Sequence, residues 1–199
     1  MTKATHEDWL YAGFRILVNK GHSQLTIDNL LLLLGVTKGS FYHHFKSRHD
    51  FTEQLLGYWR EHIATSAIRE LQQRHLSPLA CLDEVLVGVA CSRDVGIIIP
   101  QLQGIDALVL EMAIRAWAQH CSYAAHHQHS VDQERMAFLH NMFSQLVNDQ
   151  TLAKSFSWLL MLTCVGEKHV PIEISKQQFR QVLLLIRQLV VEQSVDGVG

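Results

Sequence analysis

The sequence predicts an all-α chain, with an N-terminal three-helix helix-turn-helix module followed by a larger helical body. Three observations lead there. Apolar residues recur at helical spacing along most of the chain. Only 3 Pro and 11 Gly among 199 residues leave too little punctuation for many short strands. A composition 48% hydrophobic and 18% charged is globular, and this length suffices for a small module joined to a larger one.

The first helix is expected from about Thr5 to Lys20, because Leu10, Phe14 and Leu17 share a face and Gly21 stands as a stop. Thr26 is placed to cap a second helix on which Ile27, Leu30, Leu31 and Leu34 repeat as i, i+3, i+4, i+7. Gly35 ends it. Gly35-Val36-Thr37 makes a tight turn, and Thr37 can cap a short third helix pinned down by Phe41 and Phe45. A fourth helix from about Ser47 keeps Phe51, Leu55, Trp59 and Ile63 in line before a polar end at Gln72, Gln73 and Arg74. Ser77 as cap with Pro78 at the first helical position restarts the chain. Further helices are expected over about 78 to 91, 104 to 119, 131 to 148, 150 to 165 and 174 to 193. Gly96, Pro100, the histidine-rich stretch 126 to 129 and the segment 166 to 171 separate them. The expected division is a head over residues 1 to 46, a connecting helix over 47 to 76 and a body over 77 to 199.

Two short helices joined by a glycine turn, the second polar on one side, form the arrangement in which the second helix enters the DNA major groove. Such a helix needs inner anchors, here Val36, Phe41 and Phe45. It also needs small or hydrogen-bonding residues outside, here Thr37, Lys38, Gly39, Ser40, Tyr42, His43 and His44. Lys46 and Arg48 follow where phosphates would pass. Only one of two adjacent helical residues can point squarely into a groove, and His44 is preferred to His43 for that role.

The stretch from Thr26-Ile27 through Gly35-Val36-Thr37-Lys38-Gly39-Ser40-Phe41-Tyr42-His43-His44-Phe45-Lys46-Ser47-Arg48 resembles the recognition motif of the TetR family of bacterial regulators almost position by position. The resemblance covers roughly the first 60 residues, and the family's body of five or six helices fits the remainder. It implies a homodimeric transcriptional regulator, most readily a repressor, bound to a palindromic double-stranded operator and answering to a small effector; few charged residues other than Glu111 and Arg115 flank Trp117, which predicts that the effector is apolar. The resemblance also implies phosphate contacts at Thr26, Tyr42 and Lys46 and base contacts around Lys38, Gly39, Ser40 and His44. A master regulator of the same fold without small-molecule control is the alternative. Two departures stand out. Leu31 replaces a usual alanine within the unusually apolar run Leu30 to Leu34, which predicts bulkier packing of the second helix on the third; His49 replaces a common acid.

Charge supports the same polarity of the chain. Up to Arg60 there are seven Lys/Arg against five acids, and beyond it ten against fourteen, so the N-terminal part is +2 and the remainder −4 within a total of −2. Cys81, Cys91, Cys121 and Cys164 form no C-x-x-C pair and no signal segment opens the chain, so a cytoplasmic location is expected, with no membrane span. No cofactor is expected. His120, Cys121, His126, His127 and His129 are the residues a metal-dependent enzyme would use, but they offer no clean i, i+4 pair and read as a polar loop. No G-x-S-x-G, H-E-x-x-H, phosphate loop or dinucleotide fingerprint is present.

Met112, Trp117, Tyr123, Phe138 and Met142 lie in the middle helices, where the family holds its effector; plain core is the competing reading. The last two helices are apolar on more than one face. Phe156, Leu159, Leu160, Val182, Leu183 and Ile186 are taken as the surface that pairs with a second copy in a two-fold four-helix bundle.

Overall fold

Helix α1 (His6–Lys20) begins on a reciprocal cap: the Thr5 hydroxyl accepts from Asp8 N–H while the Asp8 carboxylate accepts from Thr5 N–H. It ends at Gly21, whose N–H closes on the Leu17 carbonyl. The computed structural model describes residues 4–90, 94–167, 169 and 174–194. Lys3, Cys91 and Pro171 lie outside the described residues.

Helices α2 (Ile27–Leu34), α3 (Lys38–His44) and α4 (Arg48–Trp59) follow, and a 3-10 turn over His22–Gln24 precedes α2. Beyond α4 the chain winds through one π turn, Arg60–Ala64, in which the Arg60 carbonyl accepts from both the amide and the hydroxyl of Thr65. The connector is therefore two helices rather than one, with α5 (Ser66–Gln73) restarting after this turn. The body holds α6 (Pro78–Ala90), α7 (Ala107–Ala118), α8 (Ser122–Leu146), α9 (Gln150–Gly166) and α10 (Lys176–Glu192). Among the described residues no strand forms, and the one extended pairing is an isolated bridge between Asp94 and Asp106.

Two compact units emerge, and they are not consecutive stretches of sequence. One comprises Met1–Ser66 with Arg93–Val131; the other comprises Ala67–Ser92 with Asp132–Gly199. The packing thus groups α7 and the start of α8 with the head, where the sequence pointed to a head over 1 to 46, a connector over 47 to 76 and a body over 77 to 199.

In the first unit Trp9, Phe14, Leu30, Phe41, Phe45, Phe51, Leu55 and Trp59 are fully buried together. Gly13 lets α4 come close to α1: a Cβ there would lie 2.9 Å from Phe51 Cζ and 3.1 Å from a Leu55 methyl. The second unit buries Leu82, Phe143, Leu160, Leu183 and Val190 around one core.

The histidine-rich stretch is a correction. Residues 126 to 129 lie inside α8, not in a loop, because Ala124, His127, Gln128 and Val131 are buried at helical spacing. His127 reaches Glu53 on α4, its Nε2 3.2 Å from the carboxylate, and His126 and His129 are exposed.

Candidate nucleic-acid interface

The turn between α2 and α3 depends on Gly35, which adopts a left-handed backbone (φ 66, ψ 33) that residues with a Cβ disfavour. Its N–H and that of Val36 both close on the Leu31 carbonyl, at 2.9 and 3.3 Å. Thr26 caps α2 by accepting from Asn29 N–H. Thr37 occupies the cap position of α3 without making a side-chain cap, and the residue is exposed.

With seven residues, α3 is too short to hold itself and is fixed by aromatic contacts. Phe41 meets Trp9 edge-on at 5.4 Å, and Phe45 meets Phe51 edge-on at 5.0 Å. Each such pair adds about 0.5–1.5 kcal/mol beyond the area it buries. The opposite face is open: Lys38, Gly39, Tyr42 and His43 are exposed, and Ser40 is half-buried. Lys46 and Arg48 are exposed beyond the helix end. Arg48 also works inward, its Nε–H donating to the Leu25 carbonyl at 3.0 Å, which ties the start of α4 to the turn before α2.

Two expectations change. His44 is the inward member of the histidine pair: its ring is half-buried near Trp9 and Phe45, and its Nε2–H donates to the Ala4 carbonyl at 3.1 Å. His43 takes the exposed position, since consecutive residues lie about 100° apart around a helix. Only part of the leucine run of α2 packs inward, with Leu31 and Leu34 against the core. Leu30 is buried and Leu31 half-buried, but Leu32 is 80% exposed and Leu33 51% exposed.

Asp50, Gln54 and His6 had not been singled out. Lys46 N–H donates to one Asp50 carboxylate oxygen at 2.7 Å, and Gln54 Nε2–H donates to the other at 2.9 Å. Gln54 Oε1 in turn accepts from His6 Nε2–H at 2.7 Å. These bonds, the one from Gln54 foremost, hold the Asp50 carboxyl below its ordinary pKa. The spacing Ser47-x-x-Asp50 was the available signal, because Ser47 caps α4 by accepting from Asp50 N–H.

The remaining candidates divide. Trp117 and Tyr123 meet edge-on at 5.6 Å in the first unit, where Trp117 is buried and stacks flat on His22, with centroids 6.1 Å apart. Met112 is half-buried on α7 of the same unit. Met142 is buried in the second core, with Phe138 packed against it. Of the six expected interface residues, Phe156, Leu160, Leu183 and Ile186 face inward and form that core, while Leu159 and Val182 are exposed. The outward apolar residues are Trp158, Leu159 and Leu162 on α9 and Val182, Leu184, Leu185 and Leu189 on α10. Among the described residues no group of three or more His, Cys, Asp or Glu comes together as a metal would need, and no helix is long and apolar enough to cross a membrane.

Residues 10–55, which span α1 to α4, match the family model of bacterial regulatory proteins of the tetR family. Over these four helices the chain carries the N-terminal segment that the family's model describes. A curated relative, the transcriptional regulator AcuR of Cereibacter sphaeroides, is 34% identical over 77 residues, which is 39% of this chain and 35% of that protein. The match thus spans about a third of the relative's length. Over nearly the full chain the likeness is one of fold. A TetR-family regulator from Agrobacterium tumefaciens superposes with a TM-score of 0.69 at 16% identity, covering 96% of this chain and 97% of the other. A putative TetR-family regulator from Rhodococcus gives 0.69 at 19% identity, covering 93% and 97%.

Proposed function

We propose that this chain is a TetR-family, sequence-specific DNA-binding transcriptional regulator, acting in the cytoplasm as a homodimeric repressor on a palindromic operator. The observation that carries the reading is the two-sided build of α3, with Phe41 and the following Phe45 locked into aromatic contacts and Lys38, Gly39, Tyr42 and His43 exposed. Lys46, Tyr42 and Thr26 meet phosphates; Arg48, with its Nε already held by Leu25, offers them only the outer nitrogens of its guanidinium. Lys38, Gly39, Ser40 and His43 reach base edges, with Thr37 at the groove's lip and His44 supporting from within. A second copy covers Trp158, Leu159 and Leu162 of α9 and Val182, Leu185 and Leu189 of α10, an apolar surface that water would otherwise wet.

A small apolar effector acting near α7 also belongs to this reading. The Trp117–His22 stack supports it, because it joins α7 to the turn that leads into α2. If an inducer binds and releases DNA from a Trp117→Phe variant as it does from wild type, Trp117 is core alone.

The deciding experiment is salt-dependent fluorescence anisotropy on a duplex taken from upstream of the chain's own gene and on a scrambled duplex. Lys46→Ala should weaken both and flatten the slope of log affinity against log salt by about 1 per half-site. Lys38→Ala and His43→Ala should each cost on the order of 1–3 kcal/mol on the specific duplex, with little loss on the scrambled one. Equal losses on both duplexes for Lys38→Ala would overturn the assignment of faces.

A further inference from the structure

The exit of the recognition helix is held by hydrogen bonds whose direction is fixed by their chemistry. A carboxylate only accepts, so Asp50 takes Lys46 N–H on one oxygen and Gln54 Nε2–H on the other. That orientation of the Gln54 amide turns its Oε1 toward His6, which must then donate from Nε2. The series runs from the first residue of α1, across α4, to the peptide that follows Phe45, and every link is between 2.7 and 2.9 Å.

Capping does not account for it. The start of α4 is satisfied once the Ser47 hydroxyl accepts from Asp50 N–H. In the usual reciprocal box the third-position side chain returns to the cap residue's own N–H. Here it reaches one residue further back, to Lys46, and is held there by Gln54, a residue capping has no use for. The His6 ring adds a second hold, packing 4.9 Å from the ring of Phe45, the residue just before Lys46.

We infer that Asp50 and Gln54 are positioning residues for DNA binding: they fix the Lys46 backbone, and so the origin of its side chain, at the place from which its ammonium meets a phosphate. The inference rests on the DNA-binding reading above. Lysine carries its charge on a long flexible stem, so a misplaced origin weakens the contact without abolishing it.

The test is a cycle on the full chain with Gln54→Met, Asp50→Ala, Lys46→Ala and the two doubles that include Lys46→Ala. Anisotropy on the same two duplexes over a salt series reads it, and circular dichroism reports the fold. Gln54→Met leaves the Ser47 cap untouched and keeps the test standing if Asp50→Ala does not fold. Positioning predicts that Gln54→Met weakens binding to both duplexes by about threefold to tenfold. It also predicts a salt slope moved toward that of Lys46→Ala, and no further loss when the two are combined. Variants that lose thermal stability while keeping the wild-type slope, or whose losses add to that of Lys46→Ala, would overturn it. Wild-type protein that binds neither duplex would instead overturn the DNA-binding reading and the positioning with it.

Discussion

The recognition helix α3 and the final helix α10 solve opposite problems. The first has seven residues, no side-chain cap, and a shape imposed from outside by Trp9 and Phe51. The second has 17 residues, its own reciprocal cap between Ser175 and Gln178, and a buried stripe of Phe179, Leu183, Ile186 and Val190 at ideal spacing. On α3 the outward residues are polar, so the inner and outer faces are told apart by chemistry. On α10 the outward residues mix Val182, Leu184, Leu185 and Leu189 with Arg180, Gln181 and Gln188, so residue type alone does not mark which leucines face inward. An outward face can thus be read from residue type only where it meets something chemically unlike the core.

The sharpest way to break this contrast is to remove an anchor from each helix. Phe41→Ala should cost about 3–5 kcal/mol, and Leu183→Ala about 2–5, in chemical denaturation, because both side chains are fully buried. An unchanged midpoint for Leu183→Ala would mean that α10 holds to the second core by other residues. Charging the outer face of α10 should act on assembly instead. Leu185→Glu is expected to keep its helicity and sediment as a monomer at micromolar concentration, with operator affinity lost as dimers disappear. A dimeric Leu185→Glu protein would place the contact elsewhere.

Gly39 separates fold from recognition on α3. A Cβ there would meet nothing closer than Thr37 Oγ1 at 3.9 Å, so Gly39→Ala should leave thermal stability unchanged or raise it by up to about 1 kcal/mol. Anisotropy should nevertheless show weaker operator binding, because in the proposed docking the methyl would stand between the groove and the backbone.

The smallest effect is a titration in α1, outside both helices. Burial, reinforced by the Tyr58 hydroxyl 3.1 Å away and by Glu7, raises the Tyr11 pKa far above its ordinary value. An unfolded tyrosine ionises near pH 10 while the folded one stays protonated. Stability from this group is therefore complete below about pH 10 and declines as pH rises beyond it. Tyr11→Phe should lessen that decline in alkaline denaturation curves.

The legible parts of the sequence were those whose determinants lie within a few residues. Thr5, Thr26, Ser47 and Gly35 mark their helix ends in the sequence and do so in the structure. The Phe41 and Phe45 pair announces the inner face of α3. The partial burial of His44 is not legible locally, because it depends on Trp9 and Ala4, some 35 to 40 residues away. The stretch 126 to 129 looked like a loop because its buried members, His127 and Gln128, are polar, so hydrophobic periodicity could not register them. On α9 and α10 the helices were legible but not their inward sides, and Phe156, Leu160, Leu183 and Ile186 proved to be core.

The stack of Trp117 on His22, with the Arg15 guanidinium donating to the Gln101 carbonyl at 2.7 Å, makes the head an inseparable partner of a much later stretch of chain. A gene fusion cut after residue 66 would strip α1 and its turn of that support and leave the indole's contact surface wet. Exchange of heads between relatives is therefore not expected to succeed by a single crossover. A working chimera is expected to need residues 93 to 131 from the same parent as the first 66, because the two stretches make one compact unit.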